Sequence, residues 1–245
     1  MKRILLVLCL AVISCVCVQA QDTLKTEKQK KNKDKVTRIY TATEEQPEII
    51  RDRLVFDVFH SFWMGMPKEV AYKKFDPGFA VSALWDFKLP NKSPLSFGLG
   101  LCFTYYSQFT DALLKVDDGW VMKYNYLDSD VKYKLNRINY MNCSIPIEFR
   151  YRHKCGFKFA VGGRIGLVAE VSQNYKGTDP YDGVTNRHYK NREIYNTQNY
   201  SVEVYTRIGW KAIAVFYSCH VTKLFNDGEG PAIFPMSLGI SISAF

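Results

Sequence analysis

From Phe79 to Leu89 the chain alternates. Phe79, Val81, Ala83, Trp85, Phe87 and Leu89 share one side of an extended segment, and Ala80, Ser82, Leu84, Asp86 and Lys88 share the other. Leu95 to Tyr106 repeats the pattern, with Leu95, Phe97, Leu99, Leu101, Phe103 and Tyr105 opposed by Ser96, Gly98, Gly100, Cys102 and Thr104. Successive side chains of a strand point to opposite faces, so a period of two predicts strands with one apolar face. The same reading gives strands at Arg53 to Trp63, Ile138 to Arg152, Phe157 to Ser172, Tyr200 to Trp210, Ile213 to Leu224 and Phe234 to Phe245, eight in all. These segments match or exceed the ~9 to 11 residues with which a tilted strand crosses a hydrocarbon layer. Strands of water-soluble sheets run nearer ~5 to 6 residues.

The connections alternate in length: 15 residues (Met64 to Gly78), 5 (Pro90 to Pro94), 31 (Ser107 to Arg137), 4 (His153 to Gly156), 27 (Gln173 to Asn199), 2 (Lys211, Ala212) and 9 (Phe225 to Ile233). Long loops on one side and tight turns on the other, with an even strand number, are the layout of an outer-membrane barrel whose termini face the periplasm. The predicted fold is therefore all-β, an eight-stranded antiparallel transmembrane β-barrel. Hydrocarbon offers no partner to an open sheet edge, so such a sheet must close. A soluble β-sandwich or lipocalin-like barrel also uses alternating strands but places the apolar face inside.

Closing eight strands leaves an interior just wide enough for side chains. The predicted inward set mixes both signs: Asp57, Asp86, Lys88, Glu148, Arg150, Arg164, Glu170, Glu203 and Arg207. Charges in so narrow a space must pair. Gly98, Gly100, Gly162 and Gly166 share the inward face and leave room for long side chains, while Ile165 and Leu167 face lipid. Trp63, Trp85, Tyr105, Tyr151, Tyr200 and Trp210 lie near strand ends, as interfacial girdles require. Pro146 removes a ladder donor inside the fourth strand and predicts a bulge or local break. His60 falls on the lipid face, which is tolerable only where that strand reaches the interface, and Phe245 is out of phase with Met236, Leu238, Ile240, Ile242 and Ala244.

Composition changes the picture mainly at the front of the chain. Lys2 and Arg3 precede an apolar run from Ile4 to Val18 that ends in Val18-Gln19-Ala20, a secretory signal peptide over residues 1–20. Val12-Ile13-Ser14-Cys15 also fits a lipoprotein signal, but the run stays apolar through Val16 and Val18. Residues 21–50 are polar and lysine-rich and cannot bury enough surface to offset ordering, so a flexible periplasmic lead-in is expected before a barrel over residues 51–245. No later apolar stretch reaches the ~20 residues of a spanning helix. Removing the two signal charges takes the net charge from +9 to +7 (9 − 2). Export argues against nucleic acid as a partner, and anionic lipid or sugar polymers suit the remaining basic excess. Cys102, Cys143, Cys155 and Cys219 have neither the spacing of a metal knuckle nor that of a disulfide scaffold and read as small apolar residues.

In the fourth strand, Tyr140-Met141-Asn142-Cys143-Ser144-Ile145-Pro146-Ile147-Glu148-Phe149-Arg150-Tyr151 resembles the Tyr-Leu-x-Ile-Pro-Leu segment of PorT-like outer-membrane β-barrel proteins of Bacteroidota. The final Phe234-Pro235-Met236-Ser237-Leu238-Gly239-Ile240-Ser241-Ile242-Ser243-Ala244-Phe245 resembles their closing strand. The resemblance covers about Arg53 to Phe245. It implies an outer-membrane address and a barrel fold; a few members of the family serve the type IX secretion machinery. Met141 stands where relatives carry leucine, and Cys143 where many carry another residue.

Candidate chemistry is sparse. His60, His153, His188 and His220 fall on a strand, a turn, a loop and a strand without ligand spacing, so no metal or cofactor is expected. Ser218 and His220 share one strand face, but no orienting third group or oxyanion donors can be named, and inward polar filling explains them. Gly162-Gly163-Arg164-Ile165-Gly166 lies mid-strand with no following helix, unlike a phosphate loop. The long loops interleave tyrosines with charges (Tyr124, Tyr126, Asp128 and Asp130; Tyr175, Tyr181, Asp182 and Tyr189), as adaptable recognition surfaces do. The functional expectation is a monomeric envelope barrel with a structural or interaction role, in contact with outer-membrane lipid and with envelope or secretion-machinery proteins. The alternatives are a small outer-membrane enzyme acting on lipid and a narrow channel.

Overall fold

The computed structural model describes residues 53–66, 75–89, 94–116, 119–127, 131–179, 183–192 and 194–244. The expected signal peptide, the expected lead-in and Phe245 lie outside the described residues. The regular elements are eleven strands: β1 (Leu54–Met64), β2 (Pro77–Lys88), β3 (Leu95–Phe109), β4 (Ala112–Val116), β5 (Met122–Tyr126), β6 (Tyr133–Arg152), β7 (Phe157–Gly177), β8 (Arg187–Asn191), β9 (Tyr200–Trp210), β10 (Ile213–His220) and β11 (Phe234–Ala244).

Eight of them form the expected ring. The order runs β6, β3, β2, β1, β11, β10, β9, β7, and a β6–β7 ladder closes it, with every neighbour antiparallel. Each predicted strand has a counterpart. Closure leaves no long edge, as an apolar surround demands. The alternation has the predicted sense: Val55, Asp57, Phe59 and Ser61 are buried on β1, whereas Leu54, Phe56 and Val58 are exposed. On β7 the guanidinium-bearing Arg164 is 0% exposed and the next residue, Ile165, is 59% exposed. The exposed belt continues through Trp85, Phe149, Val204, Ile213, Val215, Leu238 and Ile240. A contiguous apolar exterior around a charged interior inverts the layout of a soluble barrel.

Four expectations need correction or refinement. Trp63 shares the parity of Asp57, so it is buried inside, where its indole donates to Ser61 Oγ at 3.0 Å, and it is not part of an outer girdle. Trp85, Tyr200 and Trp210 are exposed as girdle residues should be. Pro146 leaves the register intact: the β3–β6 ladder skips the positions between Leu99↔Ile147 and Cys102↔Ser144, a local break of the kind a missing N–H causes. The bulge sits elsewhere, on β7: Met141 pairs with Glu170 and the next residue, Asn142, with Val168, which leaves Ala169 as an extra residue. That extra residue reverses the facing of β7. Below it Arg164 and Gly166 are inside; above it Val171, Gln173 and Tyr175 are. Glu170 therefore points outward, contrary to expectation, and its carboxylate meets Lys190 and Arg192. His60 sits where the β1–β2 ladder ends, opposite Pro77, and its Nδ1 accepts the Asp76 amide at 3.0 Å. The side chain of Lys88 lies outside the described set.

The long connections are more ordered than loops. β3, β6 and β7 run past the predicted strand ends, β4 and β5 form a separate hairpin, and β8 extends the β7 edge beyond the point where β9 stops. β10 stops at His220, and Leu224 and Phe225 beyond it pack into the core.

Because Val161 faces outward midway along the stretch of β7 that pairs with β9, Val161→Arg should lower barrel stability in lipid vesicles by ~2 to 4 kcal/mol. Urea titration of the heat-modifiable band checks this, and an unchanged midpoint would contradict the face assignment.

Candidate functional site

The chain's charged interior is built from inward positions on five ring strands, β1, β2, β6, β7 and β9. Asp57 of β1 sits at its centre and receives two arginines. Arg164 Nη2 donates to Asp57 Oδ2 at 2.9 Å, and Arg207 donates through Nη2 to Oδ2 at 2.8 Å and through Nε to Oδ1 at 3.2 Å. The remaining arms reach further carboxylates: Arg164 Nη1 lies 3.4 Å from Glu203, and Arg207 Nη1 lies 2.7 Å from Glu148 Oε2. Glu148 also accepts from the Tyr205 hydroxyl at 2.7 Å and from Arg150. Asp86 receives Arg152 at 2.7 Å and Arg150 at 3.6 Å, and Arg152 also reaches Ser96 Oγ. Four carboxylates thus face four guanidiniums among the described interior residues. An uncompensated charge in so dry a space is costly, so the balance is a condition for the fold.

Aromatic faces complete the shell. The Arg164 guanidinium lies 4.4 Å from the Tyr205 ring centre and 5.3 Å from that of Phe216, and Arg207 lies 4.8 Å and 5.4 Å from the same rings. Room is made beside Glu148, which pairs with Gly98 on one neighbouring strand and Gly162 on the other. A Cβ at Gly162 would stand 2.7 Å from Glu148 Cβ, and one at Gly98 3.2 Å from Arg150 Cζ. Above this layer, the Tyr106 hydroxyl donates to Glu203 Oε1 at 3.2 Å and lies 3.0 Å from His220 Nε2.

The half of the interior on the side of the long connections holds the hydrophobic core. Phe59, Trp63, Ile138, Val171, Phe216, Phe225 and Ile233 pack together, and the β4–β5 hairpin adds Leu114 and Met122 to the same cluster. Polar ties fix the hairpin. Gln173 accepts the Leu114 amide at 2.9 Å and donates to Ala112 O at 2.9 Å, and Asn136 donates to Ala112 O at 3.1 Å. The Met122 amide donates to Glu229 O, and Asn196 donates to Trp120 O. At the rim, Asp76 accepts Gln108 Nε2 at 2.6 Å and the Phe109 amide at 2.7 Å. Burial raises the Asp76 carboxyl above its ordinary range, and the Phe109 amide, His60 and Gln108 pull it back only in part. A raised carboxyl stabilises the fold most at low pH and loses that contribution as pH rises through its folded value, so acid does not unpin this contact.

The sequence-predicted residues fall into place unevenly. Asp57, Asp86, Glu148, Arg150, Arg164, Glu203 and Arg207 meet in the interior, and Glu170 does not. Arg152, Tyr106 and Tyr205 were missed as members of the interior network, although each shares the parity of a charged residue on its own strand or a neighbouring one, and His220, expected as inward polar filling, is inside. Ser218 is hydrogen-bonded to Ser237 at 2.6 Å and His220 to Tyr106, both fully enclosed. No group of three or more potential metal ligands occurs among the described residues. Toward the end with the short turns a cleft of about 20 Å³ is lined by Arg150, Arg152, Lys158 and Arg207 around Glu148.

No protein-family model matches the chain, and no curated protein sequence matches it. Among solved structures it is similar to Ail, the attachment invasion locus protein of Yersinia pestis, in complex with the heparin analogue sucrose octasulfate. The TM-score is 0.40 and the identity 10%, with 77% of this chain and 95% of Ail covered. The fold assignment rests on the closed strand register and on the inverted faces described above, which are those of an outer-membrane type of barrel.

Removing one partner of the interior network strands another. Arg164→Ala and Asp57→Asn should each destabilise the barrel by ~3 to 5 kcal/mol in urea titration, whereas Glu170→Gln should cost under ~1 kcal/mol. Equal effects at the three positions would contradict the interior assignment.

Proposed function

We propose that this chain resides in the outer membrane as a monomeric, non-conducting and non-enzymatic barrel that holds a folded extracellular head and presents it to a partner in the cell envelope. The observation that carries this reading is how the interior is used. Its charges are spent on one another, and its outer half is filled by apolar side chains and a docked hairpin, which leaves no wet path for an ion or a substrate. The apolar exterior supports the membrane address. The PorT-like resemblance of the fourth and last strands supports an envelope-machine or secretion-machine partner. A lipid-modifying enzyme would need an exposed nucleophile and base, and Ser218 and His220 are both enclosed.

Membrane fractionation and planar-bilayer recording test the address and the closed lumen together. The expected result is a heat-modifiable outer-membrane species without conductance steps, and recovery from the soluble periplasm or regular conductance would overturn it. For the partner, cross-linking followed by co-purification from solubilised membranes should yield an envelope protein with the full chain. The yield should fall when residues 112–126 are replaced by a short glycine-serine turn, with the heat-modifiable shift retained. An unchanged yield would remove the hairpin from the interaction.

A further inference from the structure

The β4–β5 hairpin lies across the mouth of the ring. Its base is held by Asn136 of β6 and Gln173 of β7, and its far end is tied to the connection after β10, where the Met122 amide donates to Glu229 O at 2.8 Å. In ring order β10 and β11 stand opposite β3 and β6, so the two attachments lie on facing walls. Asn196 completes the far one. Its Nδ2 donates to Trp120 O and, at 3.5 Å, to Glu229 O, while its own carbonyl accepts the Asn226 amide at 2.8 Å. The connections after β4, β8 and β10 therefore meet at Trp120.

What this corner displays is an indole. Trp120 is 70% exposed, more than any other large apolar side chain among the described residues. It does so at φ 59°, in the left-handed region that a bulky residue occupies only under constraint. The hydrogen bond from Asn196 to its carbonyl supplies that constraint and fixes where the ring stands. The space beside the ring is open, since a Cβ at Gly119 would meet nothing within 4 Å. The side chains tied into the same corner are polar: Asn226 Nδ2 donates to Glu229 Oε2 at 2.8 Å, and Lys223 pairs with Asp227. Asn196 uses its side-chain donors on backbone carbonyls and Asn226 donates to Glu229, which leaves Asn196 Oδ1, Asn226 Oδ1 and Glu229 Oε1 as acceptors.

A protein hot spot sets its aromatic anchor among further apolar contacts. Here one aromatic face is bordered by amide and carboxylate oxygens, which matches a ligand with an apolar C–H face and a rim of hydroxyls. The face of the indole is electron-rich and attracts the weakly positive C–H bonds of a pyranose, and the bordering oxygens accept its O–H donors. Glu229 repels an acidic ligand, and Lys223 is already neutralised by Asp227. We propose that Trp120 is the stacking platform of a site for a neutral hexose glycan, with Asn196, Asn226 and Glu229 taking its hydroxyls. The inference rests on the reading of the head as a display surface and adds a second class of partner to it.

The test titrates the full chain in phosphatidylcholine nanodiscs, with binding read by native mass spectrometry. Maltohexaose, cellohexaose and laminarihexaose are the neutral probes and hexagalacturonate is the acidic one. The expected result is binding of at least one neutral hexaose, with an affinity that falls by about tenfold or more in Trp120→Ala and is mostly kept in Trp120→Tyr. Trp210→Phe, at the end with the short turns, should leave it unchanged. Heat-modifiable migration verifies that each variant has folded. Binding of no neutral hexaose, preference for hexagalacturonate, or equal affinity in Trp120→Ala each overturns this inference and leaves the membrane reading standing. Loss of the envelope cross-link in Trp120→Ala without any glycan binding overturns it in favour of a protein contact. Quenching of Trp120 emission by brominated phosphatidylcholine, read as the difference between the wild type and Trp120→Phe, overturns it in favour of a lipid anchor. Failure to enter nanodiscs of any composition overturns both readings.

Discussion

Asp57 accepts hydrogen bonds from two arginines that reach it from different strands, and much of the barrel is arranged so that it can. Lipid outside and a narrow space inside leave polar groups no water to fall back on, so each charge must find its opposite across the lumen. Glycines beside Glu148 keep the walls thin where the long side chains cross, and the rings of Tyr205 and Phe216 cover the guanidinium faces. The electrostatic arrangement and the packing of the core are one solution here, since the same side chains fill the space and neutralise it.

Above the charged layer the interior changes character. Phe59, Trp63, Phe216 and Phe225 continue the column as an ordinary apolar core, and the β4–β5 hairpin caps it with Leu114 and Met122. The hairpin's backbone groups are tied to side chains of β6 and β7 by Gln173 and Asn136, so the head is an outgrowth of the barrel wall. A surface built on such a base is held by the strands of the ring itself, which makes it more rigid than a free loop.

The ring was legible because its constraint repeats at every second residue: strand number, connection lengths and the inside-out sense of the faces all followed from alternation. What escaped the sequence are departures from that period. The bulge at Ala169 has no side-chain signature, and by reversing β7 above it the bulge moved Glu170 outside. Trp63 was assigned by its residue type, although its parity with Asp57 already placed it inside. Pro146 marked a fault in the ladder correctly but could not say whether the register would shift. The hairpin within residues 107–137 and the strand β8 were hidden because short strands among polar loop residues carry too little periodicity to count. The pairing of particular charges was out of reach, since it depends on which strands face each other across the lumen.

The β1–β11 ladder joins the two ends of the barrel sequence, and Asp57 meets an arginine 150 positions away. Contacts of such separation carry the largest loop-closure cost and are completed late. Until the first strand arrives, Arg164 and Arg207 lack their shared anion and hold on to water. Shutting the seam, expelling that water and neutralising the lumen are therefore a single event. A chain with a faulty first strand would stall as an open, hydrated sheet in which Arg164 and Arg207 keep Glu203 and Glu148 but lack the carboxylate that joins them, a form chemically distinct from the finished barrel.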